Sequence, residues 1–483
     1  MDDSRWRVGL SATAAFVIIG CTWAFATARY GGPDEPAHVI RAAAVAQGDL
    51  IGRPDHHFEP GFREVRVAAS LGTGDPACYR HSQTATAACA AAVTASRPGT
   101  TILATSAGTA PPWYYLIVGL GARAVSAAGT VMAYRMVTVL LCAAILGLAA
   151  ARSRRFGWGG WLIAALTPST WFLLGVVGTS GIEVALVVLA LVEAVARFHQ
   201  PVREALSRVT LPLAACLLVR PAAAIDVVVV ALVLLPTLPR PITSRTLVRV
   251  LSPFAVVGAA TLEWNHRVRL DFHDARTADS RSLASALGKS LKGIPTTAHQ
   301  AIGALGWNEF FSPFVTQVLW VATLAFAVWW VWTRSPDRWW HARWVAAALL
   351  LPTIIEVAVH RRIGTIWQGR YSIASATGGV LIAARAQLPR RVVMRNVVIA
   401  AAVAEVLGLW NTLRRYMVGL DGSLTLRGAS WRPPINPWWL IVVNAAAMAW
   451  LCVVVLGSGD DVAEHVDDVV GGAGRVEQRQ STA

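Results

Sequence analysis

Apolar residues run along this chain in blocks about as long as a bilayer is thick. They show neither the alternation of half-buried strands nor the one-sided stripe of a soluble helix. Helical backbone rises about 1.5 Å per residue, so roughly 20 apolar residues cross a hydrocarbon core of about 30 Å. On that measure the pattern predicts crossings near residues 8–28, 131–151, 158–177, 181–198, 209–220 and 222–238. Further crossings fall near 247–264, 313–332, 342–359, 370–386, 393–413 and 437–456. The halves of 209–238 are short and broken at Arg220-Pro221, where a re-entrant turn would serve as well, so the count of about twelve is open by two.

Two long polar stretches interrupt the blocks. Residues 29–130 predict a first extracytoplasmic loop with surface helices, Pro111 to Val125 among them, and 265–312 a second. Residues 1–456 thus form one integral membrane domain, and the acidic, glycine-containing 457–483 is expected to be a disordered cytoplasmic tail. Composition agrees, with 55% hydrophobic and 15% charged residues.

The net charge of +15 resides in arginines spread over helix ends, not in one patch, which membrane topology explains better than nucleic-acid binding, and no nucleic-acid partner is expected. Arg5 and Arg7, then Arg152, Arg154 and Arg155, then Arg197, Arg203 and Arg208 fall on one side, as do Arg245, Arg334 and Arg390. The positive-inside bias makes that side cytoplasmic and places both termini there, in a plasma membrane. Ala26-Thr27-Ala28 has the form of a cleavage site, but the preceding apolar run is longer than a signal peptide's and reads as an anchor. Cys21, Cys142, Cys216 and Cys452 lie in apolar helices; Cys78 and Cys89 lie outside, close in sequence and in an oxidising compartment, and are expected to form a disulfide.

Gly32-Pro33-Asp34-Glu35-Pro36-Ala37-His38 opens the first outer loop. Pro111-Pro112-Trp113-Tyr114-Tyr115, Tyr134-Arg135, Ser180-Gly181-Ile182-Glu183, Arg220-Pro221, Gly306-Trp307, Trp367-Gln368-Gly369-Arg370-Tyr371 and Arg414-Arg415-Tyr416 follow in order. In these strings the chain resembles the "domain of unknown function 2142" family of bacterial membrane proteins. It departs at Gly178-Thr179, where the family pattern has Asn-Pro, and at Glu309, where it has aspartate. That family is similar to the glycosyltransferase C superfamily, whose members take a polyprenyl-phosphate-linked sugar as donor and keep an acidic pair in the first outer loop. The resemblance implies an all-α polytopic fold of that type.

Sugar transfer to a hydroxyl requires a group to take the acceptor's proton and positive charge on the leaving phosphate. Asp34 is the candidate base and Glu35 its partner; a cap on the helix that follows is the alternative for Asp34. Arg361, Arg362 and Arg370, with Tyr371, lie outside against the topological trend and are candidates for the donor phosphate, headgroup contact being the alternative. His38, Glu183, Glu309, Arg415 and Tyr416 are further candidates, and Asp226 and Glu356 are carboxylates expected to line a cavity. His38, His56 and His57 are placed to share a divalent cation, Mg or Mn, with Asp34, though no spacing specifies a site. The absence of a phosphate-binding glycine loop or dinucleotide fingerprint disfavours nucleotide-sugar donors.

The expected activity is therefore inverting transfer of a sugar from a polyprenyl-phosphate donor to a cell-envelope glycan or lipid, with membrane lipids as surroundings. The alternatives are a transporter or flippase of a lipid-linked glycan, for which no inverted repeat is evident, and a non-enzymatic assembly partner.

Overall fold

Helix α1 (Asp3–Ala26) leads into an outer segment that holds α2 (Glu35–Ala46), strands β1 (Arg53–Pro54) and β2 (Arg63–Ala68), the short α3 (Ala88–Ala91), β3 (Thr100–Thr105) and α4 (Pro112–Val125). Then come α5 (Val131–Arg155), α6 (Gly159–Ala165), α7 (Pro168–Leu174), α8 (Thr179–Ala196), α9 (Val202–Val219), α10 (Ala224–Leu234), α11 (Ser244–Val268) and α12 (Leu283–Gly303). A hairpin of β4 (Ala304–Leu305) and β5 (Phe310–Phe311) precedes α13 (Phe314–Arg334), α14 (Arg338–Ile363), α15 (Ile373–Leu381), α16 (Arg391–Met417) and α17 (Pro437–Leu456). This computed structural model describes residues 3–54, 62–72, 76–91, 99–125, 130–197, 202–234, 243–268, 282–335, 338–363 and 367–457, excepting the side chains of 3–5, 91, 202–205, 233–234 and 361–363.

Among the described residues, eight helices are long and apolar enough to cross a membrane, and 206–219, 221–232 and 373–385 are shorter apolar helices. Length alone therefore does not reach the predicted twelve. The bundle is built on α1, which packs against α5 and α17, and on α8, which packs against α5, α9 and α15. Small residues permit the closest approach: a Cβ at Gly20 would stand 2.7 Å from Val139 Cγ1, and one at Gly147 only 1.9 Å from Thr13 Oγ1. The most hydrophobic window of α8 is 83% buried and that of α11 0% buried, so α8 is the core helix and α11 presents its apolar surface outward.

Three sequence expectations change. The crossing at 158–177 is two seven-residue helices, because Pro168 cannot continue α6 and Thr167 caps α7 by accepting the Thr170 N–H. The break has a use: Thr167 and Ser169 donate to the carbonyls of Ala301 (3.0 Å) and Ala304 (2.9 Å), satisfying the end of α12. The crossing at 370–386 is shortened to α15 between two 3-10 turns, 369–371 and 382–385. The second outer loop, predicted over 265–312, holds the 21-residue α12 and the hairpin, while α11 runs on to Val268.

The first outer segment carries a sheet as well as helices, in order β1-β2-β3 and antiparallel throughout, with Val65 opposite Leu103. Its inward residues Val65 and Val67 are buried. Cys78 and Cys89 are joined, their sulfurs 2.09 Å apart. Arg415 donates to the carbonyls of Tyr79 (2.8 Å), Ser82 and Ala85, fastening this disulfide lobe to α16. The predicted tail from 458 on lies outside the described residues, as do His56 and His57.

Candidate functional site

Motifs far apart in sequence meet at one end of the bundle. Arg370 Nη2 lies 2.6 Å from Asp34 Oδ2, 336 residues away in the chain, and donates also to the Tyr371 hydroxyl at 3.0 Å. Arg220 lies over the Tyr371 ring, 4.3 Å from its centroid, and its Nη1 is 2.6 Å from Glu183 Oε2. His38 Nδ1 and the Tyr115 hydroxyl are 2.8 Å apart, with the two rings stacked. A cleft beside this cluster is lined by Pro33, Ser169, Phe172, Gln300, Asn308 and Arg370.

Local backbone explains the placement. Gly369 lets the 369–371 turn press on the end of α12, since a Cβ there would stand 2.4 Å from the Ala301 nitrogen. Asp34 precedes α2 in the left-handed region (φ 59°), and its side chain makes no capping hydrogen bond. The strained backbone thus aims the carboxylate at Arg370 instead. Asn308, which lines the cleft and donates to Gln368 Oε1 at 3.0 Å, is left-handed too.

The adjacent acids have different surroundings. The Asp34 side chain is 44% exposed, whereas that of Glu35 is 0% exposed and held by Arg135 through both oxygens (2.8 and 2.7 Å). Glu35 also accepts the N–H groups of Val177 (3.0 Å) and Gly32 (3.3 Å). Arg135 in turn donates to the carbonyls of Ala24, Thr27 and Ala28 where α1 ends. Glu35 is therefore a brace under the Asp34 turn, in place of the expected catalytic partner.

Burial alone would push the Asp34 carboxyl up; the Arg370 guanidinium, as charge and as hydrogen-bond donor, and the further charge of Arg220 together outweigh it and hold Asp34 below the usual range. Burial lowers His38 to about 4 despite the attraction of Asp34, so its imidazole is neutral at pH 7. The pair does not fit a divalent cation: Asp34 carries a guanidinium, and His38 presents Nδ1 to Tyr115. Among the described residues no three of His, Cys, Asp and Glu come together.

Other candidates divide. Glu183 joins the cluster through Arg220, and buried Asp226 is an electrostatic neighbour of both. Glu356 accepts from Ser290 (2.6 Å) and from the Trp367 N–H (3.1 Å), tying the Trp367 turn to α12 and α14. Tyr416 is fully buried, its hydroxyl donating to the Gly31 carbonyl at 3.2 Å. Tyr416 and Arg415 thus support the outer segment and do not face the cleft. The side chains of Arg361 and Arg362 lie outside the described residues.

Glu309 stands apart, 8% exposed, with one oxygen accepting the Trp307 N–H and the other without a partner. Burial pushes its carboxyl from 4.5 up to about 7, against weaker pulls from backbone N–H groups and Arg415. The folded protein then keeps a proton that the unfolded chain releases between pH 4.5 and 7. The stability this contributes is present below pH 4.5 and lost as pH rises to about 7, roughly 3 kcal/mol in all. Thermal midpoints of wild type and Glu309→Gln measured across that range should show the wild type losing ground steadily; parallel curves would remove Glu309 as the titrating group.

Arg220 and Tyr115 stand in the sequence only within motif strings, with no role to read from them. The available signal was a cation at a proline break inside an apolar stretch, where an ionisable group is costly enough to imply a function.

A multi-pass membrane protein with an acid and two arginines gathered over a cleft at one end of its bundle is the class these features define. The chain belongs to the DUF2142 family of predicted membrane proteins, whose model matches residues 16–377. A search of curated proteins returns no match. Among solved structures it is similar to ArnT from Cupriavidus metallidurans bound to undecaprenyl phosphate, at 13% identity over 94% of this chain and 77% of that one, with a TM-score of 0.47. The apo form of the same protein gives 13%, 94%, 76% and 0.46.

Proposed function

We propose that this protein is an inverting glycosyltransferase that takes its sugar from a polyprenyl-phosphate donor and works on the outer side of the plasma membrane, with both termini cytoplasmic. The contact between Asp34 and Arg370 carries the reading. It sets an ionised, half-exposed carboxylate beside a guanidinium whose Nε is buried and without a partner, at the mouth of a cleft.

In this scheme Arg370, Arg220 and the Tyr371 hydroxyl hold the donor phosphate. The acceptor hydroxyl attacks the anomeric carbon as the carbon–oxygen bond to phosphate breaks. The bonding pair stays on the phosphate oxygen, and the acceptor's proton passes to Asp34. Arg370 serves both partners in turn, since a donor phosphate must compete with Asp34 for it. Glu183 holds Arg220, and neutral His38, fixed by Tyr115, adds no cation that would weaken Asp34 as a base.

The test is transfer of radiolabelled sugar from a panel of polyprenyl-phosphate sugars by membranes containing wild type or Asp34→Ala, with expression and folding checked. Transfer by the wild type alone is the expected result. Equal transfer by both removes Asp34 from the mechanism, and transfer by neither favours a transporter or an assembly partner.

A further inference from the structure

Arg41 is a cation that the site described so far does not use. It lies on the same face of α2 as His38, three residues on, and seven residues after Asp34, about 10 Å along the helix. The residue is 0% exposed. Its guanidinium is walled by the Tyr115 ring, 5.9 Å to the centroid, and by the Trp264 ring, 5.6 Å. Nη2 donates to the Ala110 carbonyl at 2.9 Å, while Nε and Nη1 are buried with no hydrogen-bond partner among the described residues.

A buried charge with two unused donors is costly unless something pairs with it. No salt-bridge partner stands beside Arg41 among the described residues. Asp49 acts on it only from a distance, and its carboxylate accepts the Gly52 N–H. Tyr115 cannot supply the missing charge, because burial raises its hydroxyl pKa and keeps it neutral. The aromatic walls leave a guanidinium edge that suits an oxyanion and offers nothing to a cation.

We propose that Arg41, Tyr115 and Trp264 form a second anion-binding site, which takes a phosphate or carboxylate group carried by the acceptor. The assignment to the acceptor rests on the glycosyltransferase reading, in which the Arg370 end of this helix face belongs to the donor. The presence of an oxyanion site at Arg41 does not depend on it. On this arrangement donor and acceptor charges are held on opposite sides of His38, and Asp34 lies nearer the donor. Neutral glycans are accordingly poor acceptors.

Binding distinguishes this from the donor site. The full-length Arg370→Gln protein in neutral detergent is titrated with inorganic phosphate and, separately, with glucuronate, following Trp fluorescence and thermal midpoint. Saturable binding of one or both is expected, weakened about tenfold or more by Arg41→Gln in the same background. Stronger phosphate binding indicates a phosphorylated acceptor, and stronger glucuronate binding an acidic sugar. Should Arg41→Gln fail to fold, Trp264→Leu removes one wall and keeps the cation, and it too should weaken binding severalfold. No binding of either anion, or affinity unchanged by these substitutions, overturns the proposal; a failed Asp34 transfer assay alone does not.

Discussion

Asp34→Asn is expected to lower kcat for sugar transfer by about 10²- to 10⁴-fold while the KM for the donor falls. Asparagine keeps the shape of the side chain and tolerates the left-handed backbone at this position (φ 59°), so the turn persists. It cannot take up the acceptor's proton, hence the loss in kcat. It also no longer competes as an anion for Arg370, whose only acidic partner at hydrogen-bond distance among the described residues is Asp34 (2.6 Å), so the donor phosphate meets a freer guanidinium. The opposed changes separate this from damage to the fold, which would weaken donor binding as well. Initial rates over a range of donor concentrations read both constants; kcat within a fewfold of wild type would rule Asp34 out as the base.

A second large effect concerns stability. Arg135→Leu strands the Glu35 carboxylate in a fully buried position and uncovers the carbonyls of Ala24, Thr27 and Ala28. Removing one partner of such a buried pair costs about 3–5 kcal/mol. Because Glu35 also holds the N–H groups of Gly32 and Val177, the turn that presents Asp34 should loosen too. The double variant Glu35→Leu/Arg135→Leu is expected to recover part of the loss, since an apolar pair leaves no charge unpaired. Thermal midpoints in detergent decide the matter: a single variant as stable as wild type would show that the pair does not hold the turn.

Long apolar blocks were legible in the sequence because a membrane helix satisfies its own backbone and needs no partner to be recognised. Thus α1, α5, α16 and α17 begin or end within a few residues of the expected places. Elements whose form depends on neighbours were not legible. The polar α12 is held at its end by Thr167 and Ser169, and the 63–68 strand shows its alternation only once it pairs with 100–105. Asp34 and Arg370 stood out through their motifs, yet no local signal pairs residues 336 apart. Nor does sequence distinguish two neighbouring acids when one turns outward and the other inward. Arg41 escaped notice because an arginine in a polar loop is ordinary until its burial is seen.

The fastening of the disulfide lobe by Arg415 also sets an order of events. The carbonyl of Ala85 and its clasp are 330 residues apart, and chains emerge from ribosomes at about 5–20 residues per second. For roughly 15 to 65 seconds, then, the lobe waits without its anchor. Closure of the bridge between Cys78 and Cys89, which needs only local chain, can come first. The outer segment is thus a part made early and locked late, and a ribosome stalled before α16 would leave the disulfide lobe without the guanidinium that holds it to the bundle.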